Sequence, residues 1–79
     1  MAKNDDLGGF AERDPVIVKV LWRDRPGVVC KILSQEVNPI RVTLLAKNGQ
    51  LISAQFKAFE LEHPGTDASE WPVSYEDCF

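Results

Sequence analysis

The sequence has few of the residues that mark common enzyme and metal-binding classes. Its 79 residues include two cysteines, one histidine and one methionine. Because Cys30 and Cys78 lack both the spacing of a metal site and the density of a disulfide framework, we expect two reduced thiols and no bound metal. The lone His63 precedes Pro64 and belongs to no recognisable nucleophile motif. We therefore expect a non-enzymatic protein with no catalytic residue, no cofactor and no small-molecule substrate.

Long apolar runs are absent as well. No segment approaches the roughly 20 apolar residues that cross a membrane, and the start, MAKNDDLGGF, lacks the apolar stretch of a signal peptide. We expect a cytoplasmic protein without membrane contact. What the sequence does contain is 44% hydrophobic residues, an ordinary share for a globular protein, so its length predicts one small folded domain.

Charge is divided unevenly along the chain, although the formal net charge is −3. Residues 15–57 have seven basic and two acidic side chains, whereas residues 58–79 have six acidic and no basic ones. Residues 1–14 have two basic and four acidic side chains. The chain therefore has a basic centre between acidic ends, an arrangement that bears on which partners it attracts.

Strong β formers predict a first hairpin that begins at Pro15. The run PVIVKVLW, residues 15–22, is rich in β-branched and aromatic residues and predicts the first strand. Pro26 and Gly27 then predict a type II turn, with Gly27 at the position that requires positive φ. The run VVCKILSQEV, residues 28–37, predicts the second strand.

The register of this first hairpin is open between two arrangements. A three-residue loop pairs Val20 with Ile32 and Trp22 with Cys30, and we prefer it. A four-residue turn instead pairs Leu21 with Ile32. The choice matters because a shift of one residue exchanges the two faces of a strand.

The stretch IRVTLLAKNGQLISAQF, residues 40–56, predicts a second hairpin whose register is selected by burial. A two-residue turn would place every apolar residue opposite a polar one. A three-residue loop, Lys47-Asn48-Gly49, makes one face wholly apolar, and Gly49 takes positive φ there at no steric cost. The pairs in this preferred register are Leu44 with Ile52, Val42 with Ala54, and Ile40 with Phe56.

The remaining segments divide the chain into three parts. Residues 1–14 predict a flexible acidic arm, residues 15–63 a small β-barrel, and residues 64–79 an acidic aromatic tail without a periodic face. Within the middle part, KAFELEH, residues 57–63, predicts a 3₁₀ turn, a short fifth strand, or both in succession.

Residues 15–63 run from the pattern RPGVV to KNGQLISAQFKAFELE. Four sequential strands joined by tight turns, followed by a short turn and a fifth strand, resemble a small SH3-like β-barrel of the Tudor or KOW type. The resemblance implies an all-β fold, either such a barrel or a strongly bent antiparallel sheet of four to five strands, with flexible termini. It implies a binding module by analogy.

The strands contain more apolar side chains than one face of a sheet needs. A one-sided antiparallel sheet alternates apolar with polar residues, so apolar residues on the outer face need cover. Strong bending or closure of the sheet, docking of the tail, and a protein partner or second copy are three ways to provide it. The inner positions of the second strand include Val28 and Cys30, and the outer apolar positions are Ile17, Leu21, Val29, Leu33, Leu45 and Leu51.

We expect the outer apolar surface to serve protein binding or regulation, with homodimerisation as one form of it. Aromatic residues between acids are also typical of segments that fold onto a partner, so the tail contributes Trp71 to this prediction. The predicted interaction residues are Leu21, Leu33, Leu45, Leu51 and Trp71.

Nucleic-acid binding is the alternative function. Basic side chains on the outer face and in the first turn would neutralise phosphates, and Trp22 would offer a stacking surface. The acidic tail would compete with phosphates for the same surface and would therefore be autoinhibitory. The basic residues of this alternative are Lys19, Arg23, Arg25, Lys31 and Arg41.

Overall fold

The computed structural model describes residues 9–20, 23–65 and 70–79. They form the predicted all-β fold, in which five antiparallel strands make one sheet. The strands are β1 (Pro15–Val20), β2 (Arg23–Ile32), β3 (Ile40–Leu45), β4 (Leu51–Phe56) and β5 (Leu61–Glu62), with 3₁₀ turns at Ala58–Glu60 and Tyr75–Cys78. Their spatial order is β4-β3-β2-β1-β5, and because β4 and β5 lie at opposite edges the sheet is not closed into a barrel. None of the described helices is long and apolar enough to cross a membrane.

The hairpin of β3 and β4 has the register that burial predicts. Leu44 pairs with Ile52, and the two further predicted pairs are also present. The amide of Gly49 donates to the carbonyl of Ala46 over 2.9 Å, and Gly49 has a φ of 87°. The prediction of a three-residue loop with a left-handed glycine is therefore confirmed.

The first hairpin differs from both predicted registers. Val20 pairs with Arg23 and Val16 with Gly27, so β2 passes straight through Pro26 and Gly27, where the sequence predicts a turn. The predicted pairs of Leu21 and Trp22 are wrong for this reason, although those two residues themselves lie outside the described part of the chain. The second strand also ends earlier than predicted, at Ile32.

Gly27 and Pro26 fit inside β2 for reasons that involve β3. A Cβ on Gly27 would lie 2.8 Å from Cγ1 of Val42 and 3.0 Å from the carbonyl oxygen of Thr43, so only glycine permits this close approach. Pairing of β2 with β3 begins at Gly27, so the missing amide hydrogen of Pro26 is not needed by β3.

A bulge in β2 changes which residues face the core. The register between β2 and β3 shifts between Val29 and Lys31. Val29, predicted to face outward, is fully buried in the core cluster, while Val28 and Cys30, predicted to face inward, lie on the opposite face with Thr43. The core cluster consists of Phe10, Val16, Val18, Val29, Ile40, Val42, Leu44, Phe56 and Leu61.

Residues 70–79 of the tail pack on the outer face of the sheet, opposite the core. The indole Nε1 of Trp71 donates to the carbonyl of Gly27 over 2.7 Å, and Val73 is 2% exposed. Cys30 of β2 and Cys78 of the tail form a disulfide, so the prediction of reduced thiols is wrong. Sequence spacing does not indicate this pair, because the two residues come together only when the tail packs on the sheet.

The residues just before β1 also contact the tail. The aromatic ring of Tyr75 lies under the guanidinium of Arg13, 4.7 Å from its centroid, and the Tyr75 hydroxyl donates to Glu12 over 3.3 Å. Arg13 has a φ of 78°, which is uncommon for a residue other than glycine. The amide of Arg13 donates to the carbonyl of Val29, so this segment continues the pairing of β1 with β2. Residues 9–14 of the predicted arm are thus part of the folded unit.

Candidate interaction site at the β4 edge

Of the predicted interaction residues, Leu45 and Leu51 are brought together. They pair across β3 and β4 on the outer face, where Leu45 is half-buried and Leu51 is 47% exposed. Leu33 is half-buried in the turn that follows β2, and Trp71 is half-buried by its docking on β2. Leu21 lies outside the described residues. The pair Leu45 and Leu51 at β4 is therefore the part of the predicted surface that the structure places directly together.

Among the described residues, no strand pairs with the outer side of β4, so this strand forms an open edge of the sheet. The amide of Ala46 donates to the carbonyl of Gln50 over 2.7 Å, and hydrogen-bonded pairs of an antiparallel ladder recur at every second residue. Ile52, Ala54 and Phe56 consequently direct their backbone groups toward β3. Leu51, Ser53 and Gln55 direct theirs away from the sheet, and we call this row the β4 edge.

The composition of β4 does not protect this edge. The strand reads LISAQF and contains neither proline nor an ionisable residue. Natural sheets usually shield an edge with charge, proline, a bulge or a very short strand. An unshielded edge of six residues offers a ready template for another strand.

Exposed apolar side chains flank the β4 edge on both faces of the sheet. Leu51 on the outer face is 47% exposed, and Ile52 on the core face is 45% exposed. Ile52 has its predicted pairing with Leu44, but its side chain remains half-exposed because β4 has a neighbouring strand on one side only. It borders a surface hollow of about 570 Å³ whose other lining residues are Ala46, Lys47 and Asn48.

The opposite edge of the sheet is shielded. β5 has two residues, Leu61 and Glu62, and Nζ of Lys19 lies 3.0 Å from the Glu62 carboxylate. The hydrogen bond from Lys19 to Glu62, helped by the charges of Asp24 and Glu62, raises the pKa of the lysine. A short strand with an ion pair is a poor template for further pairing.

The basic residues of the alternative function are split between different surroundings. Lys19 forms an ion pair with Glu62. Arg25 pairs with Val18 across β1 and β2 and so lies on the same face of the sheet as Val18, and its Nε donates a hydrogen bond to the Leu45 carbonyl over 3.1 Å. The Arg23 side chain lies outside the described part.

Lys31 and Arg41 are the basic residues that the structure brings together. They pair directly across β2 and β3, and both are exposed. Among the residues that the structure describes, neither has an ion-pair partner.

Two further features lie away from the β4 edge. A hollow of about 330 Å³ lies where the tail meets the first hairpin, lined by Ile17, Asp24, Arg25, Pro26, Trp71 and Pro72. His63 stacks on Phe10 with ring centroids 4.1 Å apart. Within residues 9–20, 23–65 and 70–79 no three histidine, cysteine or acidic side chains are grouped to hold a metal ion.

No protein-family model, curated protein or solved structure matches this chain.

Proposed function

We propose that this protein is a non-enzymatic protein-binding module that accepts an extended segment of a partner along the β4 edge. The observation that carries the proposal is the open, uncharged edge strand Leu51–Phe56, with an exposed apolar side chain on each face of the sheet. In strand addition, main-chain hydrogen bonds supply affinity and alternate side chains supply specificity. β4 offers both components.

Partner binding at this edge covers more than backbone. A strand laid along β4 shields Leu51 on one face and Ile52 on the other, which a flat contact on either face does not do. Covering the exposed half of each side chain contributes about 1 kcal/mol, and each backbone hydrogen bond adds about 1 kcal/mol net. Because association itself costs several kcal/mol, we expect reversible binding suited to a regulatory contact.

The SH3-like resemblance is a part of this proposal. The strand order β4-β3-β2-β1-β5, with a 3₁₀ turn between β4 and β5, supports a relationship to small barrels of the Tudor or KOW type. The cytoplasmic location predicted from the sequence stays a prediction. The disulfide is typical of proteins in a non-reducing compartment. The number of free thiols in the freshly purified protein tests whether the compartment is reducing or not.

The proposal is tested by placing a photo-crosslinking amino acid at Leu51 and exposing the protein to a lysate of its own cells. We expect a discrete crosslinked species that disappears when Ser53→Pro is added, because proline removes an amide of the β4 edge without touching the bonds to β3. Val37, an exposed apolar residue in the turn between β2 and β3, is the matched control position. Equal crosslinking from Val37, or a species that persists in Ser53→Pro, would contradict the proposal.

A second candidate function is nucleic-acid binding at Lys31 and Arg41. Two like charges directly opposite each other in a sheet are unfavourable, and a phosphate between them would relieve the repulsion. The acidic 3₁₀ turn Tyr75–Cys78 packs on β2 and β3, which supports the autoinhibitory role predicted for the tail.

Salt dependence distinguishes this candidate from strand addition. Binding of labelled single-stranded RNA would weaken steeply as salt is raised and would fall further in a Lys31→Gln, Arg41→Gln variant. Retention of RNA that is unchanged by the two substitutions would exclude these residues as the site.

A further inference from the structure

We propose that the partner strand at the β4 edge is β4 of a second copy of this chain, so that two sheets join into one antiparallel sheet about a two-fold axis at Ser53. This inference rests on the proposed function and adds the identity of the partner. It follows from the register that the edge itself imposes.

The outward backbone groups of β4 are self-complementary. They belong to Leu51, Ser53 and Gln55, a set that is symmetric about its middle member. An antiparallel copy centred on Ser53 pairs Ser53 with itself and Leu51 with Gln55 of the other copy. All three positions then become hydrogen-bonded pairs, which form about six backbone bonds across the junction.

The same register fits the side chains of both faces. An axis perpendicular to the sheet keeps the two core faces on one side, so the half-exposed Ile52 meets the small Ala54 of the other copy. A small residue, Ser53, lies at the axis, where its side chain is next to Ser53 of the other copy. The strand contains no ionisable residue, so identical copies do not repel there.

The asymmetry between the two edges limits the assembly to a closed pair. β5 is two residues long and bears the Lys19–Glu62 ion pair, so it does not accept β4 of another copy. When the β4 edges of two copies pair with each other, the dimer has no free β4 edge left to bind a third copy. Pairing of unlike edges would instead continue into a filament.

The test is the mass of the purified protein in solution, measured by light scattering over a range of concentrations. We expect a concentration-dependent rise from the 8.9 kDa monomer toward twice that mass. Ser53→Lys places two lysines opposite each other at the axis and shifts the protein to a monomer, and Ser53→Asp does the same. Mixing the two variants restores the dimer as a heterodimer. Ser34→Lys, at an exposed serine in the turn after β2, is the control and leaves the mass unchanged.

A crosslinking variant keeps the test decisive if the charged variants unfold. Cα atoms of a hydrogen-bonded pair are about 5.5 Å apart, within the range of a disulfide, so Ser53→Cys is expected to crosslink two copies faster than Ser34→Cys. A monomer at every concentration, or a dimer unaffected by the charge pair at position 53, overturns the inference. If the protein is monomeric but Leu51 still crosslinks to another protein, only the identity of the partner is wrong and strand addition stands.

Discussion

Glycine serves two distinct purposes at single positions of this sheet. Gly49 has a φ of 87° and no atom within 4 Å of a Cβ built on it, so its role is conformational. Gly27 instead leaves room for β3, because a Cβ there collides with Val42 and with the β3 backbone. The sequence predicts the first role from a local turn pattern, whereas the second depends on a neighbour 15 residues away in the chain and is not visible locally.

Substitution of Gly27 by alanine tests the packing role. The Cβ forces β3 away from β2, and we expect a loss of about 1–3 kcal/mol in the free energy of unfolding, as in other overpacked sites. Urea denaturation followed by tryptophan fluorescence measures it. A variant as stable as the wild type would show that β2 and β3 do not approach as closely as the structure has them.

At Gly49 the identity of the substituted residue decides the outcome. We expect Gly49→Ala to lose about 1–2 kcal/mol, because alanine at positive φ brings its Cβ against the backbone. Gly49→Asn keeps most of the stability, since asparagine tolerates this conformation. Equal losses in the two variants, measured by thermal unfolding, would contradict a purely conformational role.

At the level of elements, predictability follows how local the controlling contacts are. The register of β3 and β4 is set by burial parity and a three-residue loop, so the sequence predicts it correctly. The predicted β1–β2 register is wrong because it relies on Pro26-Gly27 as a turn signal. In the structure these residues lie inside β2, where the close approach of β3 requires Gly27. At the candidate site, the alternation of inward and outward side chains along β4 identifies Leu51 as an outward residue. It misses Ile52, whose exposure depends on β4 being an edge strand, a property of the whole topology.

The disulfide fixes the tail as an element of the fold. Cys30 and Cys78 close a loop of 48 residues, for which the restriction of the unfolded chain corresponds to about 4 kcal/mol. We expect Cys78→Ser to lose about 2–4 kcal/mol of unfolding free energy. Addition of a reductant should weaken the wild type by a similar amount and leave Cys78→Ser unchanged, and a reductant effect on the variant would contradict the assignment.

Within the part of the chain that the structure describes, one face of the sheet and part of the other are covered by the chain's own segments, whereas its two edges differ from each other. The core cluster fills one face, and residues 70–79 cover part of the other. Of the three covers that the sequence left open for the outer apolar residues, tail docking is the one that the described residues show. No described segment covers the β4 edge, and this is why the proposed contact lies there rather than on the part of the outer face that the tail occupies.

Removal of residues 70–79 tests this cover. Burial of Val73 and the Trp71 hydrogen bond to Gly27 are lost together with the disulfide. We expect the truncated protein to be about 2 kcal/mol less stable than Cys78→Ser, since the serine variant retains these contacts. Equal unfolding midpoints for the two proteins would mean that the tail is held by the disulfide alone.

The bond between Cys30 and Cys78 also changes how the chain responds to a protease. Lys47 is exposed in the loop between β3 and β4, and hydrolysis after it separates residues 1–47 from 48–79 in sequence. Each piece keeps one half of the cystine, so the nicked molecule migrates as a single species on a gel run without a thiol. Two shorter bands emerge only after the cystine is opened.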